Sequence, residues 1–371
     1  MNFSYWERKT WFSNVDFTII GSGIVGLNCA LSLRNRFPKT KILVLEKGIL
    51  PNGASTKNAG FACFGSISEI LDDLKTHSEE TVLQLIEKRK TGLELLRKNL
   101  SDENIGYKNL GGYELFVKKD ETLYEECFQK KKRINKLLQP FFNEEVFTEV
   151  PNQFGFQQLL PKLIFNKFEG QIDTGKMMSA LLKKAYSEGI FILNQVAVEG
   201  FSEVGGNVEI FCDQFSFKTK KLFITTNGFS KELGIENVKP ARAQVLITKP
   251  IENLHIKGTF HLEKGYYYFR NIDDRILFGG GRNLDFKGEE TTKMEETEPI
   301  QRELKRILRE SILPETEHEI DFAWSGIMGV GKQKEPIVKQ LSENVFCGVR
   351  LGGMGIAIGS FVGKELADLI E

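Results

Sequence analysis

The stretch that most constrains the fold is residues 16–46, near the start of the chain. Residues 16–20 form a β-branched run that predicts a buried strand, and it leads directly into the turn Gly21-Ser22-Gly23-Ile24-Val25-Gly26. A helix that carries Ile24, Leu27, Ala30 and Leu31 on one face and stops before Pro38 is predicted next, and residues 41–45 predict a second strand that delivers Glu46. This strand, glycine turn, helix and strand are typical of a dinucleotide-binding unit.

Each glycine of the turn has a separate physical reason to be there. Gly21 permits the tight turn, Gly23 lets the backbone approach a pyrophosphate, and Gly26 lets the helix pack closely on the sheet. The phosphates are expected at the helix N-terminus, where free N–H groups favour negative charge. Glu46 is expected to hydrogen-bond the adenosine ribose and to repel a 2′-phosphate. The pattern disfavours NADP and leaves FAD and NAD open.

Composition excludes several classes of partner. The 371 residues include 50 basic and 50 acidic side chains, so net charge gives no reason to expect a nucleic acid or an anionic membrane. The five cysteines contain no C-x-x-C pair and indicate reduced thiols in a cytoplasmic protein. No stretch approaches the roughly twenty apolar residues of a membrane helix, and residues 1–13 lack the apolar core of a signal peptide.

Residues 53–61, Gly-Ala-Ser-Thr-Lys-Asn-Ala-Gly-Phe, are too small and polar for an ordinary strand. One interpretation is a surface loop with a helix cap at Ser55 or Thr56. The other is a second phosphate or flavin contact made by backbone amides beside the first turn. The residues themselves leave both open.

The rest of the chain alternates between two patterns. Helices are predicted at 77–100, at 121–138 with the basic cluster Lys130-Lys131-Lys132-Arg133 on a solvated face, and after a cap at Asp173 or Thr174. Further expected elements are strands at 111–118, 190–193, 196–201, 208–212, 215–218, 222–224, 244–248, 259–262, 266–270, 275–279, 322–331 and 344–348, and helices at 299–312 and after Gly355. Long strands that interrupt a doubly wound unit predict two domains built from separated pieces, with a ligand between them.

Taken together, these motifs resemble the FAD-dependent oxidoreductase family that contains D-amino-acid oxidase, glycine oxidase and sarcosine oxidase. The resemblance covers nearly the whole chain from Asp16. It rests on the first turn with Glu46, the small-residue loop 53–60, the strand and turn 224–228, Pro240-Ala241-Arg242-Ala243-Gln244, the hairpin 266–281 and Gly352-Gly353-Met354-Gly355-Ile356. The last glycine run favours FAD over NAD.

The resemblance implies an α/β fold of two domains, like that of D-amino-acid oxidase. A Rossmann-like FAD-binding domain would comprise residues 12–76, 164–240 and 323–371, and a discontinuous antiparallel-sheet substrate domain residues 77–163 and 241–322. Non-covalent FAD is expected, because the sarcosine-oxidase branch attaches its flavin through a cysteine near 326–328 and this chain has none there.

The resemblance also implies the cofactor residues one by one. The residues expected to hold FAD are Gly21, Ser22, Gly23, Ile24, Val25, Gly26, Glu46, Lys47, Ser55, Thr56, Lys57, Asn58, Ala59, Val196, Thr226, Gly228, Gly326, Arg350, Gly352, Gly353, Met354, Gly355 and Ile356. Backbone N–H groups beside the flavin would stabilise its anionic reduced form.

On the substrate side the chain departs from the family. Met328 and Gly353 stand where glycine-oxidase-like members carry the arginines that bind a substrate carboxylate, so the usual bidentate anchor is missing. Alternative cations are Lys57, Arg242, Arg282 and Arg350, and Tyr266 aligns with a tyrosine that contacts the substrate in related oxidases. The predicted catalytic residues are Tyr266, Arg282 and Arg350. No metal site is expected, because the four histidines lack ligand spacing and are interpreted as structural or exposed.

The function implied by the resemblance is hydride transfer from a C–N bond of a secondary amine or amino-acid derivative to flavin N5, followed by hydrolysis of the imine. Three alternatives remain. These are oxidation of a C–O bond in a hydroxy acid or glycerol phosphate, oxidation of a group on tRNA, against which the balanced charge argues, and a flavin-binding scaffold with a decayed substrate site. The substrate, the electron acceptor and the oligomeric state stay undetermined.

Overall fold

The structure is a computed structural model that describes residues 2–371. Within them the strands are β1 (Val15–Ile20), β2 (Ile42–Leu45), β3 (Phe61–Ala62), β4 (Gly112–Leu115), β5 (Phe147–Pro151), β6 (Lys162–Asn166), β7 (Gly170–Gln171), β8 (Phe191–Leu193), β9 (Val198–Val204), β10 (Asn207–Cys212), β11 (Phe215–Ile224), β12 (Lys239–Thr248), β13 (Thr259–Leu262), β14 (Tyr267–Ile272), β15 (Arg275–Gly280), β16 (Ile320–Val330), β17 (Ile337–Gln340) and β18 (Val345–Val349).

The α-helices of the same residues are α1 (Tyr5–Glu7), α2 (Ile24–Arg36), α3 (Ala54–Lys57), α4 (Ile67–Thr76), α5 (Glu79–Leu100), α6 (Asp102–Ile105), α7 (Glu121–Phe142), α8 (Thr174–Ser187), α9 (Glu298–Ile307) and α10 (Gly355–Asp368). Short π-helical or 3₁₀ turns lie at Arg8–Phe12, Lys118–Asp120, Asn227–Leu233, Arg282–Leu284 and Leu308–Ile312.

The first sheet has the strand order β17-β18-β11-β1-β2-β8, with β9 and β10 extending from β11 as an antiparallel ribbon. The strands from β18 to β8 run parallel. Helices α2, α5, α8 and α10 cover one face, and their apolar side chains form a continuous core with the sheet. Residues 215–218 and 222–224, expected as separate strands, form the single strand β11, because its first half pairs with β10 and its second half with β1.

The second sheet has the order β16-β12-β15-β14-β13-β4-β6-β5 and is antiparallel except where β13 meets β4. Helix α9 packs on it and closes an aromatic-rich core. Strands β5 and β6 were not predicted from the sequence.

Two of the predicted domain boundaries cut through strands of the second sheet. Residue 323 lies inside β16, which pairs with β12 along its whole length, from Lys239 opposite Val330 to Thr248 opposite Ile320. Residue 164 lies inside β6. By strand pairing both strands belong wholly to the second sheet, although the end of β16 also borders the cofactor cavity described below.

The hairpin of β14 and β15 confirms a local prediction. Asp273 and Asp274 have φ values of 47° and 56°, the left-handed turn that favours short polar residues between antiparallel strands. Tyr267 lies in the core of the second sheet, whereas Tyr266 and Tyr268 both border the cavity on the opposite side. The three tyrosines therefore alternate between the two faces of the sheet.

Helices α5 and α7 lie close to the predicted ranges, but α4 was missed. A capping box starts α4, because Ser66 Oγ accepts from the amide of Glu69 and the Glu69 carboxylate accepts from the amide of Ser66. In α7 the basic cluster faces solvent, and Lys130 and Arg133 pair with glutamates at the surface. No described helix is long and apolar enough to cross a membrane.

Candidate active site

A single large cavity of about 830 Å³ lies between the two sheets. Its walls come from the carboxyl ends of β1, β2 and β11, from α3, from the segment that precedes α10, and from β13 to β16 of the second sheet. Cofactor sites of open α/β sheets lie at such strand ends.

The first glycine turn forms one end of the cavity. Helix α2 begins after Gly23, which offers no side chain to cap the helix. The N–H groups of the first turn of a helix have no intrahelical acceptor. Of these, the amide of Ile24 donates to Ser55 Oγ at 2.9 Å. Gly21, Gly23, Ile24 and Val25 line the cavity, so this helix end presents donors to an anion.

Gly26 and Ser22 lie behind the cavity wall. A Cβ on Gly26 would lie 2.0 Å from the carbonyl oxygen of Gly21, so the glycine allows helix and strand to touch. Ser22 is fully buried, and its N–H and Oγ both donate to Glu46 Oε2, at 3.1 and 2.8 Å. Ser22 therefore orients the acid and does not line the space where phosphates would lie.

Glu46 borders the cavity, and hydrogen bonds hold its carboxylate in place. Gly48 N–H donates to Oε1 at 2.9 Å, opposite the Ser22 contact on Oε2. Oε1 accepts one hydrogen bond and retains a lone pair for a ribose hydroxyl, whereas Oε2 already accepts two. Val196 also lines the cavity, and its amide donates to the Glu46 backbone carbonyl at 2.9 Å. Lys47 also lines the cavity and pairs with Glu232 at its rim.

The small-residue loop forms the helical turn α3, and most of it lines the cavity. Ser55, Lys57, Asn58 and Ala59 border the space. Asn58 holds the loop, because its Nδ2 donates to the carbonyls of Ala54 and Ser55 and its Oδ1 accepts from Gly60. Thr56 points away, donating to the carbonyl of Pro51 at 2.7 Å.

The end of β11 contributes Thr225, which was not predicted. Its Oγ1 donates to the carbonyls of Ile20 and Gly21, at 2.7 and 3.1 Å, and so ties β11 to the first turn. Thr226 lines the cavity, but Gly228 does not. A Cβ on Gly228 would lie 2.6 Å from the carbonyl oxygen of Met328, so Gly228 serves packing against β16.

The last glycine segment covers the middle of the cavity. Gly352, Gly353, Met354, Gly355 and Ile356 all line it, and they lead into the N-terminus of α10. Opposite them, a Cβ on Gly326 would lie 2.7 Å from Lys57 Cβ. Trp324 Nε1 donates to the Lys57 carbonyl at 3.0 Å and joins the second sheet to the cofactor loop.

These features fit FAD. Unpaired helix N–H groups face the space beside Gly23, an acid faces it at the end of β2, and glycines replace side chains on two sides of its middle. The volume is within the range of cofactor cavities.

The cations predicted for the substrate have different surroundings. Arg242 is buried and bound to Glu289 through Nε and Nη2, so it pins the loop after β15 and does not border the cavity. Arg350 borders the cavity, but its Nε donates to the Glu335 carbonyl. Arg282 lies at the rim with its guanidinium 4.9 Å from the centre of the Phe286 ring.

Helix α4 and two loops close the substrate end of the cavity. Lys264, in the loop before β14, pairs with Asp72 at 2.8 Å, and Lys334, in the loop after β16, pairs with Asp73. Both lysines line the cavity. Neighbouring acids on one turn of α4 thus hold two loops, one on each side. Tyr266, 37% exposed, lies in the first of these loops.

Sequence reasoning missed a buried polar cluster in this wall. His261 Nε2 lies 2.5 Å from Glu169 Oε1, and both side chains are buried. Burial alone would lower the pKa of His261, but the Glu169 carboxylate outweighs it and raises this pKa to about 9. His261 was expected to be merely structural or exposed. The pairing escaped prediction because the two residues are far apart in sequence.

Two more groups belong to this cluster. Cys63 Sγ lies within 4.8 Å of the His261 and Glu169 ligand atoms, and burial raises the pKa of its thiol. The direct contact between His261 and Glu169 satisfies both groups as an ion pair. Glu114 accepts from the amide and hydroxyl of Ser68, and burial raises its pKa to about 7.

Comparison with known proteins identifies the family. The model of the family described as FAD dependent oxidoreductase (DAO) matches residues 16–369, so the chain belongs to that family. The protein is therefore an FAD-dependent oxidoreductase and a flavoprotein.

Individual relatives are distant in sequence. The probable oxidoreductase OrdL of Haemophilus influenzae is 20% identical, with 97% of this chain and 84% of that protein aligned. The L-proline dehydrogenase of P. horikoshii has a TM-score of 0.76 at 19% identity, covering 96% of this chain and 93% of that one. Glycine oxidase from Geobacillus kaustophilus has a TM-score of 0.75 at 18% identity, covering 95% and 94%. These likenesses confirm the predicted two-domain fold.

Proposed function

We propose that this protein oxidises a C–N bond of a secondary amine or an amino-acid derivative. The observation that carries the proposal is the continuity of the cavity. It runs from the nucleotide turn, past the last glycine segment, to a region lined by Tyr266, Tyr268 and His261. A small molecule bound beside Tyr266, Tyr268 and His261 would lie next to the part of the cofactor that contacts the last glycine segment.

The names of the structural relatives support an amine substrate. They include an L-proline dehydrogenase, a glycine oxidase and an iminodiacetate oxidase from Chelativorans sp. BNC1, the last with a TM-score of 0.75 at 17% identity over 95% of both chains. Proline, glycine and iminodiacetate, the compounds in these three names, each have a nitrogen bonded to a carbon that bears hydrogen.

We assign the nucleotide part of FAD to the first turn and Glu46. The N–H groups at the start of α2, with Ser55, would bind the pyrophosphate, and Glu46 would bind the ribose. The carbonyl of Val196 would face the adenine. Lys57, Gly326 and the segment 352–356 would surround the flavin ring.

Bound FAD would supply the hydride acceptor for the C–H bond beside the nitrogen, and water would hydrolyse the resulting imine. The protein has to position the C–H bond and exclude bulk solvent. The rings of Tyr266 and Tyr268 are suited to orient the substrate, and the loops held by Asp72 and Asp73 restrict access to it. No catalytic base is assigned.

We also propose that FAD is bound non-covalently. The cysteine that borders the cavity is Cys63, and its Sγ lies 3.6 Å from Met354 Sδ. Burial raises its pKa well above the ordinary value, so the nucleophilic thiolate is disfavoured. Acid precipitation should release all of the flavin to the supernatant, and a yellow pellet would contradict this.

The main experiment mixes the FAD-loaded protein anaerobically with a panel of amines and with the matching hydroxy acids. Bleaching of the flavin absorbance by one or more amines, with an imine-derived carbonyl product, is expected. If only hydroxy acids bleach the flavin, the protein oxidises a C–O bond and the proposed oxidation of a C–N bond is wrong. A flavin that no compound reduces, but that dithionite does, would indicate a binding scaffold and overturn the proposal.

A further inference from the structure

Arg89 is a buried arginine of α5 that borders the substrate end of the cavity. Helix α5 runs unusually close to α10, because a Cβ on Gly92 would lie 2.3 Å from the carbonyl oxygen of Ala357. Arg89 lies three residues before Gly92, on the same face of the helix. The close approach therefore brings its guanidinium beneath the last glycine segment, where it lines the cavity with Cys63 and Met354.

The guanidinium has few partners for a buried charge. Nη1 donates to the carbonyl of Phe64 at 2.8 Å, and Nε has no hydrogen-bond partner. No carboxylate of residues 2–371 forms an ion pair with it. Buried charges in proteins are normally paired, so this one is left with donors to satisfy.

The acidic groups nearest Arg89 are already engaged. Glu69 caps the start of α4 and Asp73 pairs with Lys334, so both act on Arg89 only at longer range. Burial lowers the pKa of Arg89, and these two acids offset part of that shift without occupying its donors.

The other buried arginines differ from Arg89. Arg350 borders the cavity without an ion pair, but its Nε donates to the Glu335 carbonyl. Arg242 is neutralised by Glu289 at 2.6 Å. Arg270 also has an unpartnered Nε, but it donates to the carbonyls of Ile172 and Gly60 and does not border the cavity. Of the cations that line the substrate end, Lys264 and Lys334 form ion pairs with Asp72 and Asp73.

We infer that Arg89 forms an anion subsite that binds the carboxylate of the substrate. The inference rests on the proposed function and narrows it to amines that carry a carboxylate close to the nitrogen. It also answers how such a group is bound in a chain with Met328 and Gly353 at the positions of the family's arginines. The charged guanidinium offers its remaining N–H donors to a carboxylate that approaches from the cavity.

Lys57, Arg282 and Arg350 also line the cavity, and no carboxylate of the described residues pairs with them. Arg282 contacts Phe286 and Arg350 Nε donates to the Glu335 carbonyl, so Lys57 is the competing anchor to test. Lys57 lies against Gly326 of β16. Arg89 and Lys57 can therefore be separated by mutation.

The test measures binding without turnover. The FAD-loaded protein is titrated with pyrrole-2-carboxylate and with pyrrole, and the shift in flavin absorbance gives each dissociation constant. For Arg89→Met we expect the carboxylate to bind about 30-fold more weakly, as for loss of a charged hydrogen-bonded contact, and pyrrole to bind within about twofold of wild type. Arg89→Lys should recover part of the loss, and Lys57→Met should change carboxylate binding little.

Three results would overturn the inference. They are unchanged carboxylate binding by Arg89→Met, an equal loss for pyrrole and the carboxylate, and the larger loss in Lys57→Met. FAD content and the melting temperature are measured on every variant. If Arg89→Met does not fold, Arg89→Lys and Arg89→Gln carry the comparison, with Gln expected to lose more carboxylate affinity than Lys.

The proposed function can fail separately. If no amine reduces the flavin but pyrrole-2-carboxylate still binds in an Arg89-dependent way, amine oxidation is wrong and the anion subsite stands. If amines reduce the flavin and carboxylate binding ignores Arg89, the oxidation stands and the subsite is wrong.

Discussion

The two ends of the cavity are built in different ways. The nucleotide end consists mainly of backbone groups, glycines and the Glu46 carboxylate, most of them within residues 16–60, with Val196, Thr225, Thr226 and Glu232 added from later in the chain. The substrate end consists of charged and aromatic side chains from α4, α5, β13, β14 and the loops after β13 and β16. The first is specified by short-range geometry and the second by long-range packing, so the two ends should respond differently to mutation and to pH.

The largest effect is expected from Gly26→Ala at the nucleotide end. The added Cβ would lie 2.0 Å from the Gly21 carbonyl oxygen and 2.7 Å from Thr225 Oγ1, both fixed by the sheet. We expect a loss of about 3 kcal/mol or more in stability and a protein that retains no FAD. The ratio of flavin to protein absorbance after purification measures this. The matched control is Gly53→Ala, where nothing lies within 4 Å of the new Cβ. Equal FAD content in Gly26→Ala and Gly53→Ala would contradict the requirement for close packing at Gly26.

A smaller effect at the same end is expected from Glu46→Gln. The carboxylate accepts from Ser22 and Gly48, and an amide would turn an N–H group toward one set of these donors. FAD affinity should fall by about 10- to 100-fold, which corresponds to about 1.5 to 3 kcal/mol for hydrogen bonds to a charged group. Fluorescence titration of the apoprotein with FAD measures it. If the variant binds FAD within a factor of two of the wild-type affinity, Glu46 does not bind the cofactor.

At the substrate end, pH provides the sharper test. The pKa of His261 is raised to about 9 from an unfolded value near 6.5. The ion pair with Glu169 therefore stabilises the fold fully below about pH 6.5, and this contribution is lost as pH rises through 9. Urea unfolding at pH 6.5 and 9.5 should show a decrease on the order of 2 kcal/mol, and His261→Gln should abolish most of it. Burial raises the pKa of Glu114 to about 7, so its protonated form contributes stability that is lost as pH rises through 7, before the His261 contribution is lost.

The smallest effect is expected at the rim. Arg282 contacts the ring of Phe286 and is held by no carboxylate of the described residues. Exposed contacts of this kind contribute about 0.5–1 kcal/mol. Arg282→Gln should therefore change KM for a carboxylate-bearing amine by less than about threefold. A tenfold rise in KM would indicate that Arg282 at the rim, and not Arg89 in the interior, binds the substrate carboxylate.

The difference between the two ends of the cavity also explains which site residues could be predicted from the sequence. The first turn, Glu46 and the last glycine run were readable because glycines and an acid at fixed spacing have few alternative uses. Most of the predicted cofactor residues line the cavity, whereas Ser22, Gly26, Thr56 and Gly228 lie behind it or point away. For Ser22 and Gly228, neighbours in sequence of true lining residues, spacing alone does not reveal which way a backbone turns.

The substrate end could not be predicted from the sequence, because long-range packing specifies it. His261 and Glu169 come from separate elements, and Arg89 lies within a helix whose charged residues all suggest a solvated face. Their burial depends on how α4 and α5 pack against the second sheet and α10. Helix α4 itself was missed, although its capping box, Ser66 with Glu69, is a signal that was present in the sequence.

The bond from Thr225 to Ile20 joins residues 205 positions apart in the chain. During synthesis at about 5–20 residues per second, the first turn would wait on the order of ten seconds or more for the strand that completes it. Such distant contacts also raise contact order and slow folding. The glycine turn, although contiguous in sequence, is therefore a late product of folding, and the nascent chain must remain free of aggregation until the distant strand arrives.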